Sequence, residues 1–371
     1  MHENNIKAFF ALVSAGLWER EVNLADYGVI DYSEVYKLAS EQSITGLVAA
    51  GLEHVKDVRV PKEELLTFIG DALQVEHRNK AMNVFVAELI ENMRKAGIYT
   101  LLVKGQGIAQ CYERPLWRAC GDVDLFLSDE NYTKAAEYLK PLASTINEER
   151  PREKHLAMTL DGWEVELHGR LYVGLSKRVE KELDSVYDKA FCGGDVRSWI
   201  NGDTQVFLLS AGIDVFYVFS HILQHFYKEG VGLRQICDWC RLLFKYRNEL
   251  NFDTLESRIR KAGLISEWKA FGALAVDWLG TPKEAIPMYD ESSCWSKKAN
   301  RIIDFIMISG NMGHNRNADY MSKPYLIRKC YSAGRRVKDI INHMRIFPGD
   351  SLLFSFSILK NGMMSVMRGE G

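Results

Sequence analysis

Residues 104–127 read KGQGIAQCYERPLWRACGDVDLFL, a glycine-containing turn into a short helix that returns as an apolar strand tipped by two carboxylates. Side chains alternate across a β-strand, so Asp122 and Asp124 project from one face while Val123 and Leu125 point from the other into a core. Adjacent carboxylates repel each other, and a divalent cation between them relieves that repulsion. Upstream, residues 100–103 (TLLV) predict a short buried strand, and residues 104–107 a turn into a helix. Backbone amides at such a turn, with the partial positive charge of a helix start, suit phosphate oxygens. Lys104 adds a full positive charge at the same place.

A third carboxylate is expected from a nearby strand. Residues 155–171, HLAMTLDGWEVELHGRL, contain two apolar runs separated by Asp161-Gly162, a strong hairpin signal. In the second run Glu164, Glu166 and His168 share one face, while Val165 and Leu167 share the other. Either glutamate reaches the aspartates, since a register shift of two exchanges them. Such a set of acids beside a phosphate-binding turn is what phosphoryl or nucleotidyl transfer needs.

The succession of strand, Lys-Gly turn, helix and Arg118-x-x-Gly121-Asp122-Val123-Asp124-Leu125 strand resembles the uncharacterised bacterial nucleotidyltransferase family of the polymerase-β-like nucleotidyltransferase superfamily. The resemblance covers roughly residues 30–330, with its chemically specific motifs between 104 and 168. In the superfamily the turn is usually Gly-Gly or Gly-Ser, followed by Asp-x-Asp and a third carboxylate on a later strand. Here Lys104-Gly105 stands in place of that pair, and seventeen positions separate Gly105 from Asp122.

The resemblance implies an α+β fold with a small mixed sheet, and places the third acid at Glu166 in its Val-Glu-Leu-His element, with Glu164 and His168 in reserve. It implies transfer of a nucleoside monophosphate from a nucleoside triphosphate to a hydroxyl-bearing acceptor. Asp122, Asp124 and Glu166 are the expected catalytic residues and ligands of Mg²⁺ or Mn²⁺, with Glu166 orienting or deprotonating the acceptor. Lys104, Gly105, Gln106, Gly107, Arg118 and Gly121 are expected at the nucleotide. His168 is expected to make a steadying hydrogen bond. The stretch 232–239, GLRQICDW, is similar to the family's helical element, in which Arg234 and Asp238 close over the cleft. Because the turn is substituted, a noncatalytic nucleotide-binding regulatory module of the same fold is the alternative reading. A small-molecule kinase would need a His-x-Asp loop with a following Asn and a later Asp-x-Gly, which do not occur in suitable order.

Length and composition set the frame. At 371 residues the chain exceeds one ordinary core, and 47% hydrophobic residues suffice for several packed modules. Helical periodicity predicts an N-terminal helical region over 1–96, with segments near 32–54 and 61–96, then a nucleotidyltransferase-like core over 97–175 and a C-terminal helical region over 176–371. A net charge of −2 argues against a dedicated nucleic-acid surface. The exception is residues 323–345, where Lys323, Arg328, Lys329, Arg335, Arg336, Lys338 and Arg345 face only Asp339, the pattern of a solvated helix face or of a patch for an anionic substrate or acidic membrane. Residues 1–20 lack the charge and apolar run of a signal peptide, and the most apolar stretch, 206–226, is interrupted by Asp214, His221 and His225 and reads as a buried helix. Seven scattered cysteines suit reduced thiols, so a soluble cytoplasmic protein without a transmembrane segment is expected. Cys237 and Cys240 read as one face of a helix, and His221 and His225, four apart without a zinc-protease glutamate, as a structural pair.

Overall fold

The computed structural model, which describes residues 3–228, 230–311 and 325–354, builds a seven-stranded mixed sheet around the motif-bearing segments. β1 (Leu101–Val103) and β2 (Asp122–Phe126) pair antiparallel, with Val103 opposite Asp124. β3 (Thr145–Ile146), β4 (His155–Leu160) and β5 (Trp163–His168) extend the sheet beyond β2, and β6 (Val196–Asn201) and β7 (Thr204–Leu209) extend it beyond β1. The order is β3-β4-β5-β2-β1-β7-β6, with β5 parallel to β2 and β7 parallel to β1. Between β4 and β5 the chain turns at Asp161 and Gly162, whose φ values of 48° and 80° are the double positive φ that a two-residue Asp-Gly turn supplies.

The hairpin of β6 and β7 falls where periodicity predicts only helix. It carries the sheet past residue 175, and the run 206–226 divides into β7 and helix α8 (Ala211–Lys228). The turn between its strands is Gly202-Asp203, with Gly202 at φ 60°, a two-residue hairpin loop with glycine at its first position.

On the N-terminal side, α1 (Glu3–Trp18), α2 (Tyr32–Glu41), α3 (Thr45–Glu53) and α4 (Lys62–Lys95) precede the sheet. The segment near 32–54 is two helices, interrupted where Ser43 takes φ 56°. Asp31 caps α2 by accepting from the Ser33 and Glu34 amides at 3.0 and 3.1 Å. Pro61 precedes α4, where its fixed φ suits a helix start.

The two faces of the sheet are covered differently. Leu102, Val123, Leu125, Val165 and Leu167 pack against the second half of α4 and against α6 (Asp129–Leu139). From the other face, Leu101, Val103 and Phe126 join a larger core shared by α1, α2 and α3 with α7 (Lys177–Phe191), α8, α9 (Leu233–Tyr246), α10 (Phe252–Ala262), α11 (Ile265–Asp277) and α12 (Ser293–Ser309). Cys237 and Cys240 lie fully buried in that core. N- and C-terminal helices therefore bury one another and together back the sheet face that carries the acids. The helix α5 (Gly105–Ala109) follows β1, and α13 (Tyr325–Met344) carries the basic segment. Lys323 lies outside the described residues, and Lys338 and Arg345 are exposed. No helix among the described residues is long and apolar enough to cross a membrane.

Candidate functional site

The site begins with strand register. Because β2 and β5 run parallel, Asp122 stands opposite Glu164 and Asp124 opposite Glu166, all on the face away from Val123 and Leu125. Antiparallel pairing of β4 with β5 adds His155 opposite His168. Helices α8 and α9 face this surface, and the space between is a cleft of about 250 Å³. Lys104, Asp122, Asp124, His155, Glu166 and His168 line it from the sheet, and Tyr217, His221, His225, Arg234 and Asp238 from the helices. Glu164 is exposed and does not line the cleft.

Within the cleft the charges alternate. Lys104 Nζ lies 2.7 Å from Asp124 Oδ1, and His168 Nε2 lies 2.8 Å from the same oxygen. His168 Nε2 is also 3.4 Å from Glu166 Oε2, which His155 Nε2 approaches to 3.0 Å. Burial disfavours the Lys104 ammonium, but the Asp124 carboxylate outweighs it and keeps the proton on the lysine well above the usual range. Burial likewise opposes ionisation of Glu166, yet hydrogen bonds from His155 and His168 and the charge of Lys104 hold its carboxyl well below the ordinary carboxylate range. For His168, burial is overcome by hydrogen bonds to Asp124 and Glu166, and its pKa rises.

Asp122 is the exception. Its side chain has no hydrogen-bond or ion-pair partner among the described residues, and the charge of Asp124, with burial, pushes its carboxyl up. Oxygen donors in mutual repulsion fit a hard divalent cation, and Asp122, Asp124 and Glu166 could hold one.

Lys104 itself sits at φ 57° and ψ −145°, a conformation that favours glycine. Strain of this kind costs on the order of 1–3 kcal/mol and persists where the surroundings over-determine it, here through the ion pair with Asp124. Gly105, next in the turn, has φ 41°, and a Cβ there would stand 3.2 Å from Cys120 Sγ. The lysine therefore occupies a turn position whose backbone conformation suits glycine.

The other residues expected at the nucleotide divide. Arg118 lines the cleft, but its guanidinium is engaged with buried Asp238, Nε to Oδ1 at 3.0 Å and Nη2 to Oδ2 at 2.5 Å, leaving Nη1 without a partner. Gln106 points away, donating to Asn79 Oδ1 at 2.8 Å, because the face of α5 that bears it packs on α4. Gly107 faces Leu208, whose side chain a Cβ would meet at 2.7 Å, and Gly121 is exposed outside the cleft. Of that set, Lys104, Gly105 and Arg118 reach the cleft. Arg234, one helical turn before Asp238, donates Nη1 to the Ala119 carbonyl at 2.8 Å and has a buried, unpartnered Nε.

His221 and His225 line the helical wall instead of only packing within it, with their Nε2 atoms 3.3 Å apart. Burial, then the charge of Lys104, lowers both, His225 to about 4, so these imidazoles are neutral at ordinary pH. Sequence reasoning passed over His155. Its signal was the Asp161-Gly162 turn, which fixes the β4–β5 register and thus puts His155 and His168 on one face.

Three carboxylates backed by a lysine on a glycine-containing turn, in one cleft of a mixed sheet, are the groups that nucleotidyl transfer uses. The profile of the uncharacterised nucleotidyltransferase family matches residues 29–280, more than half of the chain, and the chain belongs to that family. Nucleotidyl transfer is accordingly the class of its chemistry. Comparison with curated proteins and with solved structures gives no match.

Proposed function

We propose that the cleft moves a nucleoside monophosphate from a nucleoside triphosphate to a hydroxyl-bearing acceptor, with Mg²⁺ or Mn²⁺ held by Asp122, Asp124 and Glu166. The observation that carries this reading is the shared face of Asp122, Asp124 and Glu166, with Asp122 unpartnered and raised by its neighbour. A divalent ion bound there supplies electrostatic stabilisation of the charge that develops on the phosphoryl oxygens.

The chain's own groups divide the remaining work. Lys104 and the Gly105 amide face the triphosphate, joined by the unpartnered Nη1 of Arg118 and by Arg234. Asp238 fixes the Arg118 guanidinium, and Tyr112 fixes Asp238 by donating its hydroxyl to Oδ1 at 2.8 Å. Glu166, kept ionised by hydrogen bonds from His155 and His168 and by the charge of Lys104, would help hold the ion and orient the acceptor hydroxyl as a hydrogen-bond acceptor. Burial of the site by α8 and α9 limits water, which favours transfer to the acceptor over hydrolysis.

Thermal melts of the purified protein with each nucleoside triphosphate, with and without Mg²⁺ or Mn²⁺, test the reading. A ligand that binds only the folded state raises the melting temperature by mass action. The expected result is stabilisation by nucleotide that requires the cation and disappears in Asp122→Asn. Stabilisation that is indifferent to both cation and Asp122 would overturn it.

A further inference from the structure

A second donor set adjoins the carboxylates and differs from them in chemistry. One ligand atom each from His155, Glu166 and His168 lies within 4.8 Å of the other two. The two Nε2 atoms stand 3.0 and 3.4 Å from the shared glutamate oxygen. The arrangement is built into the sheet, since His155 and His168 are direct cross-strand partners and Glu166 is two residues from His168 on the same face. The imidazoles are 4.9 Å apart between centroids. All three side chains line the cleft, and each keeps some exposure, 15%, 22% and 11% in chain order, so an ion has a route to them.

Ligand spacing and ligand type point the same way. Four-coordinate ions with bonds of about 2.0–2.1 Å place neighbouring ligand atoms roughly 3.3–3.4 Å apart. The glutamate-to-imidazole separations here need only small adjustments to meet that spacing. Two imidazoles and one carboxylate suit borderline first-row ions, whereas Mg²⁺ takes oxygen ligands in a near-octahedral shell. Asp122 and Asp124 offer oxygen alone.

We propose that His155, Glu166 and His168 form a binding site for a zinc-like divalent transition ion, separate in ligand chemistry from the Mg²⁺ or Mn²⁺ position at Asp122 and Asp124 and bordering it at Glu166. Binding uses the Nε2 lone pair of each imidazole, with any remaining ring proton on Nδ1, and replaces the Nε2 contacts to the carboxylates. An ion there lowers the pKa of a bound water or acceptor hydroxyl. That consequence rests on the nucleotidyl-transfer reading, but occupancy of the site does not.

The test therefore reads occupancy, with Co²⁺ as the probe because its visible absorption reports its ligands. Full-length protein, stripped with chelator, is titrated with Co²⁺ in excess Mg²⁺. One equivalent should bind with the bands of nitrogen–oxygen ligation and be displaced by Zn²⁺. His155→Ala and His155→Gln should each weaken Co²⁺ by at least about tenfold, the loss that even an outer-sphere partner causes. The glutamine variant retains a hydrogen-bond donor for Glu166, so it separates ligation from folding. His155→Cys should restore binding with a thiolate-to-cobalt charge-transfer band. The proposal is overturned if Co²⁺ fails to bind in Mg²⁺, if both His155 variants bind it as wild type does, or if wild type already shows a thiolate band, which would place the ion at a cysteine such as the exposed Cys192 or Cys294. A chain without transferase activity could still pass this test, and an active one could fail it.

Discussion

Replacing Lys104 by alanine probes the charge balance of the cleft. Lys104 Nζ and Asp124 Oδ1 are 2.7 Å apart, with side chains 16% and 1% exposed. Removing one partner of such a buried pair leaves the other uncompensated and costs about 3–5 kcal/mol. His168, 2.8 Å from the same Asp124 oxygen, still offsets part of that charge, which sets the loss at the lower end of this range, while Asp124 and Glu166 continue to repel Asp122. A second variant separates the backbone contribution. Alanine keeps a Cβ at φ 57°, whereas Lys104→Gly relieves that strain, so glycine should be the more stable of the two by about 1–3 kcal/mol. A divalent cation supplies the missing positive charge, and its binding stabilises the folded state by RT ln(1 + [L]/Kd). Urea denaturation in chelator and in excess Mg²⁺, monitored by tryptophan fluorescence, should show the large loss in chelator and a smaller one in Mg²⁺. A loss below about 1 kcal/mol in chelator, against the 3–5 kcal/mol expected of a buried pair, would refute the reasoning. So would an equal loss in both conditions.

Asp122→Asn removes the unpartnered member of the cluster, so the cation-free protein should melt at the wild-type temperature or above while cation-dependent nucleotide binding disappears; a clear drop in melting temperature would contradict this. Gly16→Ala should destabilise by about 1–3 kcal/mol in denaturant melts. The reason is that its Cβ would stand 2.0 Å from the Leu47 carbonyl oxygen at the α1–α3 crossing. Glu267 is fully buried and accepts from the Tyr227 hydroxyl at 3.0 Å; burial and the nearby Asp350 push its carboxyl up to about 8. The folded state therefore holds that proton more tightly than the unfolded state, and the stability it contributes is present below the ordinary carboxyl range and lost as pH rises through about 8. Glu267→Gln should flatten the fall in melting temperature between the ordinary carboxyl range and about pH 8, and a wild-type protein to which Glu267 adds stability over that range would contradict the assignment.

The sequence carried much of the site because strand parity is local. Alternation alone puts Asp122 with Asp124 and Glu166 with His168, the parallel pairing of β2 with β5 brings the two pairs to one face, and Asp161-Gly162 fixes the register that adds His155. Parity left the choice between Glu164 and Glu166 open, since two-residue shifts conserve it; the pairing of Asp124 with Glu166 and the exposure of Glu164 distinguish them. Tertiary partners were not legible. Nothing near Arg118 in the chain announces that Asp238, on α9, engages it, or that Gln106 turns to Asn79 on α4. The hairpin at 196–209 was obscured because β7 runs almost directly into α8, so one continuous apolar run mixes a period of 2 with one of 3.6. Likewise, spacing alone put His221 and His225 on one helix face but could not say that the face looks into the cleft.

The most direct measurement of the central claim is release of pyrophosphate, paired with appearance of labelled nucleotide on an acceptor, when wild-type protein, Asp124→Asn and Glu166→Gln are supplied with each nucleoside triphosphate, Mg²⁺ or Mn²⁺, and cell extract as the source of acceptors. Transfer by wild type alone, with nucleotide binding largely retained in Glu166→Gln, is the predicted result, because the assigned role of Glu166 is exerted in the transition state. Wild-type protein that binds nucleotide yet transfers no more than Glu166→Gln with either metal would contradict the account and make the cleft a regulatory nucleotide-binding site.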